Sequence, residues 1–440
     1  MGRDARGQSR DRGRDRSAGS ACGNLAATTA GPGALSLTAR RATLNAALRS
    51  LCIVVIIDVF GFGVLIPLIP YMAVRFGASP ALNTAVLGTY SLCQLLAAPL
   101  WGRLSDRFGR RPILLSSMSG AFVSYLILAF AHSLATLFVA RALAGFMAGN
   151  LSAAMAYASD ISAPRERART MGMVGASIGI GFMLGPAIGG TLAGDRLGAA
   201  NFLRPALLSA CMSLVAMLLV LFMLPESHGP EQRARPSGMA RERGWQLLRK
   251  LPSLRWLALA TLLVTFSQST LESIFAIWAM DRYRVGPMTV GLTLFVLAIV
   301  AVGVQGGLVR RLAPRFGEQR LAIAGVLAYV AGLAIVAIGG ALGLVIVGLV
   351  FCGLGSGLFS PSGAALASHQ AGSHNRGAVM GVYQSGTSTA RVIAPFVAGP
   401  VYMRFGPGAP YVLGCLVTLQ ALWCVLGAGR LRAQESGAAP

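Results

Sequence analysis

Charge is what this chain has least of. Only 12% of its 440 residues are charged while 55% are hydrophobic, and an ordinary soluble protein carries about 25% charged residues. A soluble domain of this length would need far more polar surface to face water, so that class is excluded. The four histidines, His132, His228, His369 and His374, form no H-E-x-x-H frame and pair with no nearby cysteine, which leaves no metal site to expect. The seven cysteines, Cys22, Cys52, Cys93, Cys211, Cys352, Cys415 and Cys424, lie far apart, and six fall in or beside apolar runs. That spacing gives no disulfide framework and suits small apolar packing residues. Gly179-x-Gly181 and Gly353-x-Gly355-x-Gly357 sit within apolar runs and lack the strand-turn-helix setting of a phosphate loop. With no nucleophile, metal or nucleotide set, neither an enzyme nor a cofactor is expected.

What the chain has in abundance is apolar runs of about 20 residues, the length that crosses a bilayer. Lipid cannot satisfy a free backbone group, so each run is expected to be a helix. Twelve are placed near 49–72, 84–102, 112–131, 134–157, 170–193, 204–224, 254–280, 288–309, 321–339, 342–366, 377–402 and 409–429. The fold class expected is an all-α polytopic membrane protein, 12 transmembrane helices in two six-helix halves, 48–224 and 254–430. A basic central loop, 225–253, divides them, and tails of 1–47 and 431–440 flank them. Residues 1–47 are rich in Arg, Asp, Gly, Ser and Ala without periodicity and are expected to be disordered. Arg40-Arg41-Ala42-Thr43-Leu44 faintly suggests an export signal; Asp58 and two prolines in the run that follows suit a retained first helix better.

The net charge of +23 fits nucleic-acid binding or membrane orientation, and location separates the two. Of 38 basic residues, 30 fall in the tails and the loops on one side, six in the loops on the other, and two, Arg141 and Arg391, within spans. The positive-inside rule then puts both termini in the cytoplasm, and no nucleic-acid partner is required.

Between the second and third runs, Gly102 to Leu115 reads G-R-L-S-D-R-F-G-R-R-P-I-L-L. It resembles the signature loop of major facilitator superfamily transporters, roughly G-x-L-a-D-R-x-G-R-[RK]-x-x-L, at Gly102, Leu104, Asp106, Arg107, Gly109, Arg110, Arg111 and Leu114. A decayed copy, Gly307 to Arg320, follows the eighth run; it keeps the glycine, the basic residues and R-F-G but loses the acid. Two pseudo-symmetric halves are the layout of transporters that rock about a midplane site. The fifth run, Gly175 to Gly190, has Gly181, Gly185 and Gly189 every four residues, a smooth stripe for close helix packing. Through Gly175, Gly179, Gly185, Pro186, Gly189 and Gly190 it also resembles the G-x-x-x-G-P-x-x-G-G signature of the antiporter branch. From Tyr90 to His228, ending in L-P-E-S-H, the chain is similar to the tetracycline-efflux group of drug:proton antiporters. It departs from that group at Ser124, which stands before Tyr125 where an acid is usual, and at Ala301, four residues before Gln305 where a histidine is usual. The ninth run lacks the group's acid, and Glu272 stands where the group is apolar.

The resemblance implies proton-driven export of a small organic solute by alternating access, from the cytoplasmic (inner) membrane, by a monomer. Ionisable residues at membrane depth are costly and point to function. Asp58 could gain or lose a proton as water access changes, Arg141 could oppose it with a fixed charge, and Glu272 is a second proton site or a lure for a cation. Tyr90, Gln94, Gln268, Gln305, Gln384 and Arg391 are candidates for the cavity wall alongside Glu272. At the loop, Gly102, Asp106, Arg107, Gly109, Arg110, Arg111 and Asp160 are the gating candidates, and the resemblance implies that Asp160 pairs with Arg110 while Asp106 faces the start of the eleventh helix. Structural readings stay open beside these: an acid satisfied without titrating, a basic residue paired for packing, a loop that only fixes topology. An uptake permease and a transport-dead sensor remain as alternatives to export.

Overall fold

The structure, a computed structural model, describes residues 32–163, 166–196, 200–227, 244–370 and 375–435. The chain divides into two compact units, Met1–Ala46 and Ala47–Pro440; the second holds the spans and is the one described below. Residues 1–31 of the expected tail, 228–243 of the expected central loop and 436–440 lie outside the described residues.

Apolar sequence and lipid-length runs give helices throughout. In chain order they are α1 (Pro32–Leu65), α2 (Ile69–Arg75), α3 (Pro80–Phe108), α4 (Arg110–Ala129), α5 (Leu134–Phe146), α6 (Asn150–Asp160), α7 (Arg167–Ala193) and α8 (Leu203–Met223). After them come α9 (Gly244–Lys250), α10 (Pro252–Tyr283), α11 (Pro287–Gly303), α12 (Val309–Phe316), α13 (Glu318–Ile338), α14 (Leu342–Ser368), α15 (Arg376–Phe405) and α16 (Ala409–Glu435). α1 begins inside the segment read as a tail, and α9 is a short helix inside the segment read as the central loop.

Every expected span has a helical counterpart, and three of them are interrupted. The first runs Ala46–Arg75 and breaks between α1 and α2, where Pro67 and Pro70 remove backbone donors and tight turns take over, Ile66 N to Gly63 O at 3.2 Å and Leu68 N to Leu65 O at 3.0 Å. The fourth, Leu134–Asp160, breaks at Met147–Gly149 without a proline. There the indole of Trp101 crowds Gly149 and its Nε1 donates to the Phe146 carbonyl at 2.5 Å, taking up a group the break has freed. The eighth, Pro287–Phe316, carries a π-helical turn at Val304–Leu308 between α11 and α12, an irregularity frequent at functional sites.

Among the described residues, eleven helical segments are long and apolar enough to cross a membrane. α15 has the length, 30 residues; Gln384, Ser385, Thr387, Ser388, Thr389 and Arg391 in its middle hold its hydropathy down.

The internal repeat is visible in the backbone. Gly109 joins α3 to α4 at φ 103°, and Gly317 joins α12 to α13 at φ 78°. Each follows an Arg-Phe pair, and each occupies backbone that side chains with a Cβ avoid.

The two halves meet at one end and stand apart at the other. At the closed end Tyr71 of α2 packs with Leu271, Phe275 and Trp278 of α10 and donates to Val285 O at 2.9 Å. A Cβ added at Gly399 of α15 would stand 2.6 Å from Ala81 Cα of α3. At the other end, which carries the Gly102–Leu115 loop, Cβ positions at Gly102, Gly172, Gly175, Gly306, Gly307 and Gly381 face open space.

Candidate functional site

The loop end is organised around Arg110. Positive φ at Gly109 turns the chain so that α4 starts at once, and the Arg110 side chain folds back over the turn. Its Nε donates to Asp160 Oδ2 at 3.0 Å, and its Nη1 donates to Asp106 Oδ1 and Ser105 Oγ at 2.9 Å each. The sequence had given Glu226 of L-P-E-S-H no role, yet its carboxylate accepts the backbone N–H groups of Arg110 and Arg111, at 2.9 and 3.2 Å. An anion on the orphan donors of a helix N-terminus is well placed to stabilise it. Arg111 in turn donates to the Leu221 carbonyl, and Tyr157 OH to the Pro225 carbonyl at 2.9 Å. α3, α4, α6 and the end of α8 are thus tied into one cluster. Arg107 lies outside it, its guanidinium 5.4 Å from the Phe108 ring. The Asp106 side chain is 71% exposed, and near the start of α15 Gly377 and Gly381 face open space.

Deeper in the first half, Asp58 on α1 is 7% exposed and accepts a hydrogen bond from Asn150 Nδ2, the first residue of α6. The break before α6 is what turns that amide toward α1. A small recess beside the pair is lined by Val55, Val59, Leu114, Met118, Leu151 and Ala154. Sequence reasoning missed Asn150, although an amide at membrane depth in G-N-L-S was a signal.

Arg141 on α5 is 6% exposed and forms no ion pair with Asp58. Its guanidinium lies 4.4 Å from the Tyr90 ring and 5.7 Å from the Phe62 ring, cation–π contacts of the kind worth about 2 kcal/mol when desolvated. Its Nε has no hydrogen-bond partner. Tyr90 on α3 packs on Phe62, ring centroids 5.0 Å apart, and lies within electrostatic range of Arg141, Asp58 and Arg391. Tyr125, which the sequence marked only as a departure from the resembled group, is buried within range of Asp58 and Arg141.

The second half supplies Glu272, the one exposed residue in the otherwise buried run 269–279 of α10. Arg391 on α15 is exposed and lies within electrostatic range of Glu272 as well as of Tyr90. Gln305 on the π turn and Gln384 on α15 are exposed, while Gln94 and Gln268 are half-buried. Tyr90 thus lies on α3 of the first half, and Glu272 and Arg391 on α10 and α15 of the second. Among the described residues no cluster of three or more His, Cys, Asp or Glu side chains could hold a metal.

The fifth-span glycines divide between two neighbours. Gly181, Gly185 and Gly189 pack on α1: added Cβ atoms would lie 2.8 Å from Val59 Cβ at Gly181 and 2.6 Å from Gly63 at Gly185, and would run into the Val64 carbonyl at Gly189. Gly190 and Pro186 face the other half, where a Cβ at Gly190 would stand 2.5 Å from the Pro287 carbonyl and one at Gly291 would run into that of Pro186. Gly179 continues that seam, 3.3 Å from Val302, and Gly175 faces open space. Just beyond α7, Asp195, also missed in the sequence, accepts from Gly286 N and Thr289 N at 3.1 Å each, while Met288 N donates to Gly194 O at 3.3 Å.

The model of the Major Facilitator Superfamily matches residues 51–395 and 307–439. The chain is 30% identical over 385 residues to "Tetracycline resistance protein, class C" of Escherichia coli, covering 84% of this chain and 93% of that protein. To "Multidrug resistance protein 2" of Bacillus subtilis (strain 168) it is 26% identical over 367 residues, 80% of this chain and 89% of that one. The solved structure of the human organic anion transporter MFSD10 (TETRAN) superposes with a TM-score of 0.66 at 23% identity, over 87% of this chain and 99% of that one; at that identity the likeness speaks for the fold.

Proposed function

Because the chain belongs to the Major Facilitator Superfamily, we propose that it exports a small organic solute in exchange for protons by alternating access. It is a multi-pass membrane transporter handling small molecules, not an enzyme. Similarity to tetracycline and multidrug resistance proteins over most of their length supports efflux. At 30% identity, and with the departures at Ser124, Ala301 and Glu272, tetracycline itself is not assigned as the cargo.

One observation carries the reading. The halves are seamed at one end by Gly190, Pro186 and Gly291, while Gly102, Gly172, Gly175, Gly306, Gly307 and Gly381 at the other end face open space. The basic loops put the open end in the cytoplasm, which makes this the inward-open state of an inner-membrane protein with both termini inside. Twelve spans in two halves give the rocking unit; a monomer suffices, and the proton gradient replaces any cofactor.

Asp58, Arg141 and Glu272 carry the proton coupling. Asp58 and Asn150 form a pair whose hydrogen bond changes when the acid protonates, and Arg141 holds a positive charge beside Tyr90. A ligand shifts the two states only by as much as it binds them differently, so proton and solute must favour opposite states. The cluster of Gly102, Asp106, Arg107, Gly109, Arg110, Arg111 and Asp160 acts as the inner gate and does not touch solute. When that end closes, Gly175 extends the seam beyond Gly179.

The test uses everted membrane vesicles holding the full chain, energised and followed with a panel of fluorescent compounds and an internal pH dye. Compound-driven proton movement that is lost in Asp58→Asn is the expected result. Uptake in the opposite direction, or proton movement unchanged in Asp58→Asn, contradicts the proposal.

A further inference from the structure

We propose that the decayed loop after the eighth span binds the phosphate of an anionic phospholipid, held by Arg310, Arg311 and Arg315 in the leaflet on the loop side. The site serves neither cargo nor proton, so its test is independent of the transport reading.

The two copies of the loop are alike in arginines and differ in what answers them. Around the first copy, Arg103, Arg107, Arg110 and Arg111 stand with three carboxylates: Asp106 and Asp160 accept from the Arg110 side chain, and Glu226 accepts from the first N–H groups of α4. Around the second copy, Arg310, Arg311, Arg315 and Arg320 stand with Glu318. That carboxylate is engaged elsewhere, 3.1 Å from His369 Nε2 at the end of α14. All four arginines of the second copy are exposed, and none makes an ion pair, a hydrogen bond or a ring contact among the described residues. The second half thus keeps the positive charge and lacks the acids that balance it in the first.

The short helix α12 gives the charge a direction. Val309, Leu312 and Ala313 pack on the buried Val304, Leu321 and Leu358, which leaves Arg310, Arg311 and Arg315 on the opposite side of the same two turns. Arg311 and Arg315 are four residues apart, where like charges repel, so the face calls for an anion that reaches them together. Leu308, 38% exposed, and Phe316, 51% exposed, flank the arginines at the two ends of the helix. A basic face bordered by exposed apolar side chains suits a headgroup whose acyl chains lie alongside better than an ion free in water. Arginine stems can run along those chains while the guanidinium grips two phosphate oxygens at once. A Cβ added at Gly306 or Gly307 would meet nothing, so the described chain does not cover the approach just before the helix. Juxtamembrane basic residues are drawn to the anionic leaflet, and the orientation above makes this leaflet the cytoplasmic one. The lipid phosphate then does for the second loop what Asp106, Asp160 and Glu226 do for the first.

The test titrates phosphatidylglycerol and phosphatidylcholine, with the same chains and the same fluorescent label, onto the purified full chain in a neutral detergent. Wild-type protein is expected to bind phosphatidylglycerol about tenfold or more tightly. Arg311→Gln is expected to weaken phosphatidylglycerol binding by about fivefold, the increment of one basic residue at an anionic surface, and to leave phosphatidylcholine binding unchanged. Arg103→Gln, in the first loop, is expected to change neither. Inorganic phosphate and glycerophosphoglycerol, the headgroup without its chains, are expected not to displace the labelled lipid at concentrations where unlabelled phosphatidylglycerol does. The wild-type comparison of the two lipids needs no substitution, so a misfolded variant does not decide the matter. Equal affinity for the two lipids, no loss in Arg311→Gln, or an equal loss in Arg103→Gln overturns the inference. Displacement by the chainless headgroup or by phosphate as readily as by lipid overturns it too, because the ligand is then a soluble anion.

Discussion

Asp195 holds Thr289 across the seam between the halves, accepting from Thr289 N at 3.1 Å and from Thr289 Oγ1 at 3.1 Å. Thr289 lies in the first turn of α11, so a carboxylate of one half caps a helix of the other, as an N-cap residue does within a single chain. With Gly190, Pro186 and Gly291 packed beside it, this cap favours closure of that end.

Removing the cap should shift the balance of states. Loss of an N-cap costs about 0.5–2 kcal/mol, which changes a two-state ratio by roughly 2- to 30-fold. Asp195→Ala is expected to enlarge the outward-open population by that factor. Spin labels at Ser79 and Met403, at the closed end of α3 and α15, would report it as a longer distance component; an unchanged distribution would remove Asp195 from the latch.

The fifth-span glycines should separate into two classes. Gly185→Ala puts a Cβ 2.6 Å from Gly63, and overpacking of this kind costs about 1–3 kcal/mol. Gly175→Ala meets open space and should leave the melting temperature in detergent unchanged while slowing transport, because that face is used only when the inner end closes. Equal melting temperatures for the two variants would contradict the division.

Asp58 and Asn150 should be distinguishable by what each loses. Asp58→Asn removes the titratable group, so solute exchange between equal pools is expected to persist while the pH dependence of net export disappears. Asn150→Ala leaves a buried carboxylate without its donor, a loss of about 1–3 kcal/mol that should show as a lower denaturation midpoint. Net export in Asp58→Asn with its pH dependence intact would be decisive against the assignment.

At the inner cluster, the Arg110 side chain is 12% exposed and that of Asp160 24%, against 71% for Asp106. Exposed ion pairs contribute about 0–1 kcal/mol, while removing one partner of a more buried pair costs more because the other charge is left uncompensated. Asp160→Asn is therefore expected to lower thermal stability more than Asp106→Asn. Glu226→Gln, which takes the negative charge off the start of α4, should fall between them; calorimetric scans of the three variants in one detergent give the order.

Much of this protein was legible without coordinates because lipid imposes one rule on the backbone. Apolar length fixed where helices run. The R-F-G turns at Gly109 and Gly317 revealed the repeat, since few residues other than glycine tolerate that backbone. α15 is a 30-residue helix despite the polar residues that hold its hydropathy down. Pairings across distant segments were beyond the sequence altogether. Asn150 reaches Asp58 because α6 restarts after a break that Trp101 supports, and Glu226 reaches the start of α4 from 116 residues away. Asp195 finds Thr289 only once the two halves have met. Local chemistry sets which residues are costly in a membrane, and three-dimensional packing decides which partner offsets each one.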